Sequence, residues 1–175
     1  FKYDPIGIAW NELDAAHHPL NGWGNGTTGA VLFDGNQTIT VGWNPALGGG
    51  VTGALTLQDF DLATGLWGAP GTYAAGPLVN NVNQLIRRSN GTIVVITGGT
   101  NLSPSLSAQV YTIATTTWVT VALDTNFGLG IVNGGSAAVY DPNTGNIHVF
   151  AFGPNTAGNA FYQLFTLANA TPVGS

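Results

Sequence analysis

Residues 83–99 carry the pattern that decides the fold: Asn-Gln-Leu-Ile-Arg-Arg-Ser-Asn-Gly-Thr-Ile-Val-Val-Ile-Thr-Gly-Gly. An apolar run ends at the polar triplet of residues 89–91 (Ser-Asn-Gly), and a second run, rich in β-branched residues, begins at Thr92. Asn and Gly tolerate the positive φ of a tight turn, whereas β-branched residues favour extended strands. The segment therefore predicts a β-hairpin.

The same pattern of two apolar runs around a polar turn occurs twice more, in residues 29–43 and 136–153. Their turns contain Asp-Gly-Asn at residues 34–36 and Asp-Pro-Asn-Thr-Gly at residues 141–145, which are also turn-forming sequences. The second runs are 54 residues apart at both steps (92 − 38 and 146 − 92), beginning at Thr38, Thr92 and Asn146. A regular period of this size indicates a repeat architecture.

A second recurrent element lies downstream of each hairpin, where an aromatic residue is followed seven positions later by Trp in most copies. The pairs are Phe60 and Trp67, Tyr111 and Trp118, and, near the start of the chain, Tyr3 and Trp10, whereas Phe165 is followed by Pro172. A polar turn separates the two members of each pair, which predicts another hairpin. Each unit of about 50 residues therefore contains about four strands, the content of one propeller blade.

This combination of glycines and spaced aromatics resembles the kelch repeat. One copy consists of a strand that ends with Thr-Gly-Gly at residues 97–99, followed by Tyr111 and Trp118. A second, weaker copy is formed by Gly42 with Trp43 and by Phe60 with Trp67. The resemblance covers residues 29–175 and departs from the kelch pattern where the paired glycine is single, at Gly42 and Gly153, and at Pro172, where Trp is absent.

The resemblance implies an all-β fold of kelch-like β-propeller blades, each an antiparallel four-stranded repeat of about 50 residues. Gly-rich hairpins with aromatics also occur in sialidase-type propellers and in fibrous β-structures. We expect a single repeat domain over residues 1–175, divided as follows: 1–28, the end of a preceding blade or a closing strand plus a loop; 29–82, repeat 1; 83–135, repeat 2; and 136–175, repeat 3, truncated.

Three blades are fewer than the four to eight that complete a propeller ring. Two accounts remain open: the chain is a piece of a longer protein and forms an incomplete ring, or the ring is completed by another chain, with two copies giving six blades. An N-terminal strand over residues 6–13 is a candidate for the outer strand missing after Pro172. Either account predicts contact with other protein, as further blades of the same polypeptide or as neighbouring subunits.

The charge composition excludes several classes of partner. The chain has 3 Lys and Arg, 8 Asp and Glu, a net charge of −5 and only 6% charged residues. So few basic groups cannot neutralise a run of phosphates, which argues against nucleic acid and anionic lipid. No apolar stretch is long enough for membrane insertion, and no glycine-rich segment has the context of a nucleotide site.

Few residues suit catalysis or metal binding. His17 and His18, with Glu12 and Asp14 upstream, form the only cluster of potential ligands, but adjacent side chains on an extended segment point to opposite sides. His148 alternates with apolar neighbours, which predicts a position facing solvent or the channel of a propeller. A kelch-like copper oxidase requires a modified Cys, and the chain has none. We therefore predict no catalytic residues, no metal and no cofactor.

The five Trp residues divide into two groups by their neighbours. Trp67 and Trp118 occupy the repeat position at which aromatics fill the space between blades, which predicts buried packing. Trp23 and Trp43 instead lie among turn residues close to Asn25 and Asn44, where an exposed indole beside an amide suits stacking on a sugar ring. These four residues are the predicted glycan-binding residues.

Two functions fit these observations. The first is a non-catalytic structural or adhesion component of an exposed assembly such as a virion, a tail fibre or a cell-surface layer, because scarce charge and Gly/Asn/Thr-rich β-repeats suit a rigid scaffold. The alternative is a secreted, lectin-like carbohydrate-binding β-propeller. Both predict an extracellular or virion-surface location.

Overall fold

The computed structural model describes residues 2–4, 9–11, 29–33, 37–45, 52–69, 71–79, 82–87, 91–98, 106–124, 136–151, 161–166 and 171–174. Within these ranges all regular structure is antiparallel β-strand. This confirms the predicted all-β class. No helix in these ranges is long and apolar enough to cross a membrane.

The strands are numbered in chain order. The first eight are β1 (Lys2–Asp4), β2 (Ala9–Asn11), β3 (Gly29–Phe33), β4 (Thr38–Trp43), β5 (Gly53–Ala54), β6 (Thr56–Asp61), β7 (Leu66–Trp67) and β8 (Leu78–Val79). The next eight are β9 (Val82–Arg87), β10 (Thr92–Gly98), β11 (Leu106–Thr112), β12 (Thr117–Asp124), β13 (Ser136–Asp141), β14 (Asn146–Ala151), β15 (Phe161–Thr166) and β16 (Thr171–Gly174).

Three sheets have four strands each, and in each the strands pair in chain order. Sheet 1 contains β3, β4, β6 and β7, sheet 2 contains β9 to β12, and sheet 3 contains β13 to β16; β1 with β2, and β5 with β8, form two-stranded sheets. The second strands begin at Thr38, Thr92 and Asn146, as the 54-residue period predicts. In the described part of the chain, the three sheets do not close into a ring.

The spaced aromatics pair directly across neighbouring strands. Phe60 lies opposite Trp67 and Tyr111 opposite Trp118, with ring centroids 5.0 and 4.9 Å apart. The same register joins Tyr3 to Trp10 and Phe165 to Pro172. Phe60 and Tyr111 are buried, whereas Trp67 and Trp118 are half-buried and cover the outer edge of their sheets. The predicted second hairpin of each repeat is thus confirmed.

Each sheet has two distinct faces. The face that we call upstream carries the Ile-x-Val pair of the second strand, and the downstream face carries an aliphatic residue of the first strand. The upstream pairs are Ile39 and Val41 in sheet 1, Ile93 and Val95 in sheet 2, and Ile147 and Val149 in sheet 3. The downstream residues are Leu32, Ile86 and Val139, which pair with Thr40, Val94 and His148.

Sheet 2 lies between the other two, and each contact joins a downstream face to an upstream face. The first apolar cluster combines Leu32 and Leu57 of sheet 1 with Leu85, Ile93 and Tyr111 of sheet 2. The second combines downstream residues of sheet 2 with upstream residues of sheet 3: Ile86, Val94, Ile96, Ala108 and Val110 with Ile147, Val149 and Tyr140. Strand β10 is buried along its whole length because both faces of its sheet are covered.

The first strands of the three sheets lie side by side, since β9 contacts both β3 and β13. The fourth strands also come together at one boundary, where β12 contacts β16. The three sheets therefore pack face to face in one order, with their first strands on a common side.

Candidate functional site

The predicted exposure of Trp43 is wrong. The indole is only 5% exposed because Trp43 continues strand β4 for one more residue beyond Gly42 and lies on the upstream face with Ile39 and Val41. Asn44 is 2% exposed, and its Nδ2 donates a hydrogen bond to the main-chain oxygen of Val79 at 2.9 Å. Both side chains therefore belong to the interior of the fold and offer no surface on which a sugar ring could stack.

The other two predicted glycan-binding residues, Trp23 and Asn25, lie outside the described residues, so their assignment stays a prediction. The same applies to His17, His18 and the acidic residues upstream of them. In the part of the chain that the structure describes, no three His, Asp or Glu side chains form a group that could hold a metal ion.

One carboxylate lies at the boundary between sheets 1 and 2. Asp59 accepts hydrogen bonds from the Thr40 hydroxyl (Oδ1, 2.6 Å) and from the Tyr73 hydroxyl (Oδ2, 2.7 Å). The ring of Tyr73 packs edge-on against Tyr111 of sheet 2, with centroids 5.5 Å apart. Because both oxygens accept hydrogen bonds from groups of the fold, Asp59 anchors the segment that carries Tyr73 to the sheets.

That segment, residues 71–77, also covers Trp118. The indole Nε1 donates to the main-chain oxygen of Ala74 at 2.9 Å. Gly76 donates its N–H to Leu55 O at 2.9 Å, and a Cβ at this position would lie 2.9 Å from that oxygen and 3.2 Å from the Trp118 ring. Gly76 is therefore required by close approach, and the segment joins the outer edge of sheet 2 to sheet 1.

A glutamine recurs in the third strand of each sheet, a feature absent from the sequence-based predictions. Gln58, Gln109 and Gln163 pair with Val41, Val95 and Val149. Gln58 and Gln109 are each 4% exposed. The available signal was the position of each glutamine, two residues before the aromatic of the second hairpin.

The amides of Gln58 and Gln109 link neighbouring strands. Gln109 donates from Nε2 to Thr97 Oγ1 at 3.2 Å and accepts from Thr120 Oγ1 at 2.6 Å, which connects three strands of sheet 2. Gln58 donates from Nε2 to the main-chain oxygen of Gly68 at 2.9 Å, just beyond the fourth strand of sheet 1. A buried amide is tolerated because it is hydrogen-bonded, and the bonds of Gln58 and Gln109 hold the sheets together.

His148 is half-buried on the downstream face of sheet 3, directly opposite Val139. The nearby Asp141 closes a turn, and its pKa lies below the ordinary value of 3.8, first because the Thr144 hydroxyl donates to its carboxylate and next because the Asn143 N–H does. His148 contributes to this lowering only weakly. The arrangement is that of a turn with a capping carboxylate.

The exposed apolar side chains point to a different kind of site. Val139, on the downstream face of sheet 3, is 59% exposed, and Phe33, on the upstream face of sheet 1, is 55% exposed. These two positions are at opposite ends of the stack of sheets. The downstream face of sheet 3 is therefore the candidate functional surface, whereas the upstream face of sheet 1 is largely covered, with Val41, Trp43 and Phe60 only 4%, 5% and 6% exposed.

No protein-family model matches this chain, and a search of curated proteins finds no match either.

Proposed function

We propose that this protein is a non-catalytic structural or adhesion component of an exposed assembly, built from kelch-like β-propeller blades. The observation that carries the proposal is the way in which the three sheets stack: each contact joins one downstream face to one upstream face through apolar residues at repeated positions. A sheet built in this way is stable only beside another of the same kind, which suits a scaffold.

The polar groups support the same role. Asp59, Gln58, Gln109 and Asn44 are hydrogen-bonded to strands and to the segments between them. With 6% charged residues, the chain presents a largely neutral surface, which favours association through apolar contact and hydrogen bonds over ionic attraction. A location on a cell surface or virion is part of the proposal.

The test combines particle mass with ligand binding. The purified chain is examined by native mass spectrometry and by electron microscopy, and it is applied to a glycan array. We expect regular assemblies with no preference for any glycan. Defined sugar binding by a small particle would contradict the scaffold role and favour the carbohydrate-binding alternative, with Trp23→Ala and Asn25→Ala as the variants that should then abolish binding.

A further inference from the structure

Sheet 2 ends at β12 in an open edge. This strand is hydrogen-bonded to β11 on one side, and β16, which comes close to it, is hydrogen-bonded to β15 instead. Among the described residues, no main-chain hydrogen bond joins β12 to any strand or segment other than β11. Alternate N–H and C=O groups of such a strand point away from its sheet, which makes a long edge a template for another strand.

The edge at β12 is longer than the edges of the other two four-stranded sheets. The strand β12 has eight residues, whereas the equivalent outer strands β7 and β16 have two and four. The inner edges are different, because the first strands β3 and β13 both lie against β9. In the described part of the chain, β12 is therefore the outer edge with the greatest length for pairing with another strand.

The side chains of β12 leave this edge unprotected. Four of them are exposed, those of Thr117, Val119, Thr120 and Ala122, and Val119 is 57% exposed. Residues 117–123 contain no charged residue and no Pro, which are the residues that commonly block pairing at an open edge. The edge is therefore accessible, and its sequence does not oppose the addition of a strand.

An antiparallel copy of the same strand matches β12 residue by residue. A two-fold axis through Thr120 would place this residue opposite its own copy and Val119 opposite Val121. Trp118 would then lie opposite Ala122 on the same face of the sheet. These pairs set β-branched side chains against each other and a bulky residue against a small one, with no like charges opposed. We propose that β12 pairs with β12 of a second copy of this chain.

A second copy is favoured because the strand is complementary to itself. An uncharged strand does not repel its own copy, and a two-fold contact uses the same edge of both chains, so the pairing closes at two copies. The two four-stranded sheets would then form one continuous sheet of eight strands. This inference rests on the proposed scaffold role and adds to it the partner and the contact residues.

Disulfide cross-linking tests the register. The chain has no Cys, so a single introduced thiol reports one contact. In the proposed pair the two copies of position 120 are directly opposed, about 4.5–5.5 Å apart at Cα, which a disulfide can span. We expect Thr120→Cys to form a covalent dimer on oxidation. Thr117→Cys is the matched control on the same strand, because its two copies would be about 20 Å apart and should stay unlinked.

Sedimentation velocity of the whole chain at about 1–100 μM tests the contact without a cross-link. We expect the wild type to form dimers and Val119→Lys to weaken association at least about tenfold, since Lys on an edge strand opposes pairing. Val139→Lys is the matched control: Val139 is also an exposed strand valine, 59% exposed, but it lies on the first strand of sheet 3. This control should dimerise like the wild type, and circular dichroism checks that every variant is folded.

A monomeric wild type would overturn the proposal, as would equal cross-linking of Thr120→Cys and Thr117→Cys. Association weakened by Val139→Lys and not by Val119→Lys would place the partner on the downstream face of sheet 3 and would also overturn it. A failure of the scaffold role shows differently, as specific glycan binding on the array. Assemblies that persist in Val119→Lys would leave the scaffold role standing and exclude only this edge.

Discussion

The indole nitrogen of Trp118 lies 2.9 Å from the main-chain oxygen of Ala74, 44 positions earlier in the chain. This hydrogen bond joins the fourth strand of sheet 2 to the segment that follows the fourth strand of sheet 1. The same indole packs at a tilt of 50° against the ring of Tyr111, which is 1% exposed. Trp118 therefore holds sheets 1 and 2 together at their outer edge in two ways, through apolar contact and through a donated hydrogen bond.

The first prediction concerns this residue. Trp118→Ala should lower the free energy of unfolding by about 3 kcal/mol, the lower end of the range for such truncations because the indole is only half-buried. Trp118→Phe keeps an aromatic ring but loses the hydrogen-bond donor. It should lower the free energy of unfolding by about 1 kcal/mol for the lost hydrogen bond, and further because the smaller ring makes fewer contacts. Urea denaturation followed by circular dichroism measures both. Equal stability of Trp118→Ala and wild type would show that the packing of residues 71–77 on sheet 2 does not depend on the indole.

The sequence predicted much of this fold because its main signals are local. Turn residues and β-branched runs predict the hairpins, and the regular spacing of Phe60 with Trp67 and of Tyr111 with Trp118 places the outer pair of strands in the correct register. Side chains seven positions apart around a four-residue turn are necessarily opposite each other in an antiparallel hairpin. This is why the pairs were predictable without knowledge of the tertiary structure.

The burial of Trp43 could not be predicted in the same way. Its neighbours Gly42, Asn44 and Pro45 are turn residues by composition, and only pairing with Gly29 and Thr56 extends the strand to position 43. On the opposite face, towards sheet 2, a Cβ at Gly42 would lie 2.8 Å from a methyl carbon of Leu57 and 2.9 Å from one of Leu85. The burial of Trp43 depends on what packs over the strand, which a local pattern does not reveal.

A second prediction concerns backbone strain at a turn. Thr116 has φ of 54°, in the same four-residue turn in which Gly65 and Gly145 have φ of 72° and 73°. A β-branched residue is disfavoured in this left-handed region, whereas Gly and Asn tolerate it. Thr116→Asn and Thr116→Gly should raise the free energy of unfolding by up to about 1 kcal/mol, with the entropy of the unfolded chain reducing the gain for Gly.

The matched controls for this turn are Gly65→Ala and Gly145→Ala. Nothing lies within 4 Å of a Cβ built at either position, so any loss of stability reports the backbone conformation alone. Each should cost about 1 kcal/mol. Thermal unfolding compares the four variants, and a Thr116→Asn variant less stable than wild type would refute the strain at Thr116.

A third prediction follows from the turn that Asp141 closes. Its pKa is held below the ordinary value, so the ionised carboxylate stabilises the folded state. That contribution is complete above the pKa of the unfolded chain and is lost as the pH falls through the lower pKa of the folded chain, that is, below about pH 4. Thr144→Val removes the largest cause of the lowering and should move the pKa of Asp141 back towards 3.8.

Carboxyl chemical shifts in an NMR titration from pH 6 to pH 2 measure this pKa directly in wild type and in Thr144→Val. The Tm of Asp141→Ala should lie below that of the wild type at neutral pH, with a difference that narrows as the pH falls below about pH 4. An unchanged pKa in Thr144→Val would mean that the hydroxyl does not hold the carboxylate.

The last prediction tests the recurrent glutamine. Gln109 is buried and connects Thr97 on β10 to Thr120 on β12, so Gln109→Leu removes two hydrogen bonds and leaves the buried Thr97 hydroxyl with only a long contact to Ser107 O at 3.4 Å. We expect a loss of about 1–3 kcal/mol in the free energy of unfolding, the penalty for an unsatisfied buried polar group.

Gln84→Leu is the matched control, because the amide of Gln84 reaches only Leu85 O at 3.5 Å and the residue is half-buried. It should change stability by less than about 0.5 kcal/mol. Similar effects of the two substitutions in urea denaturation would show that the glutamine at position 109 fills space and does not link the strands, and the role inferred for Gln58 would then fall with it.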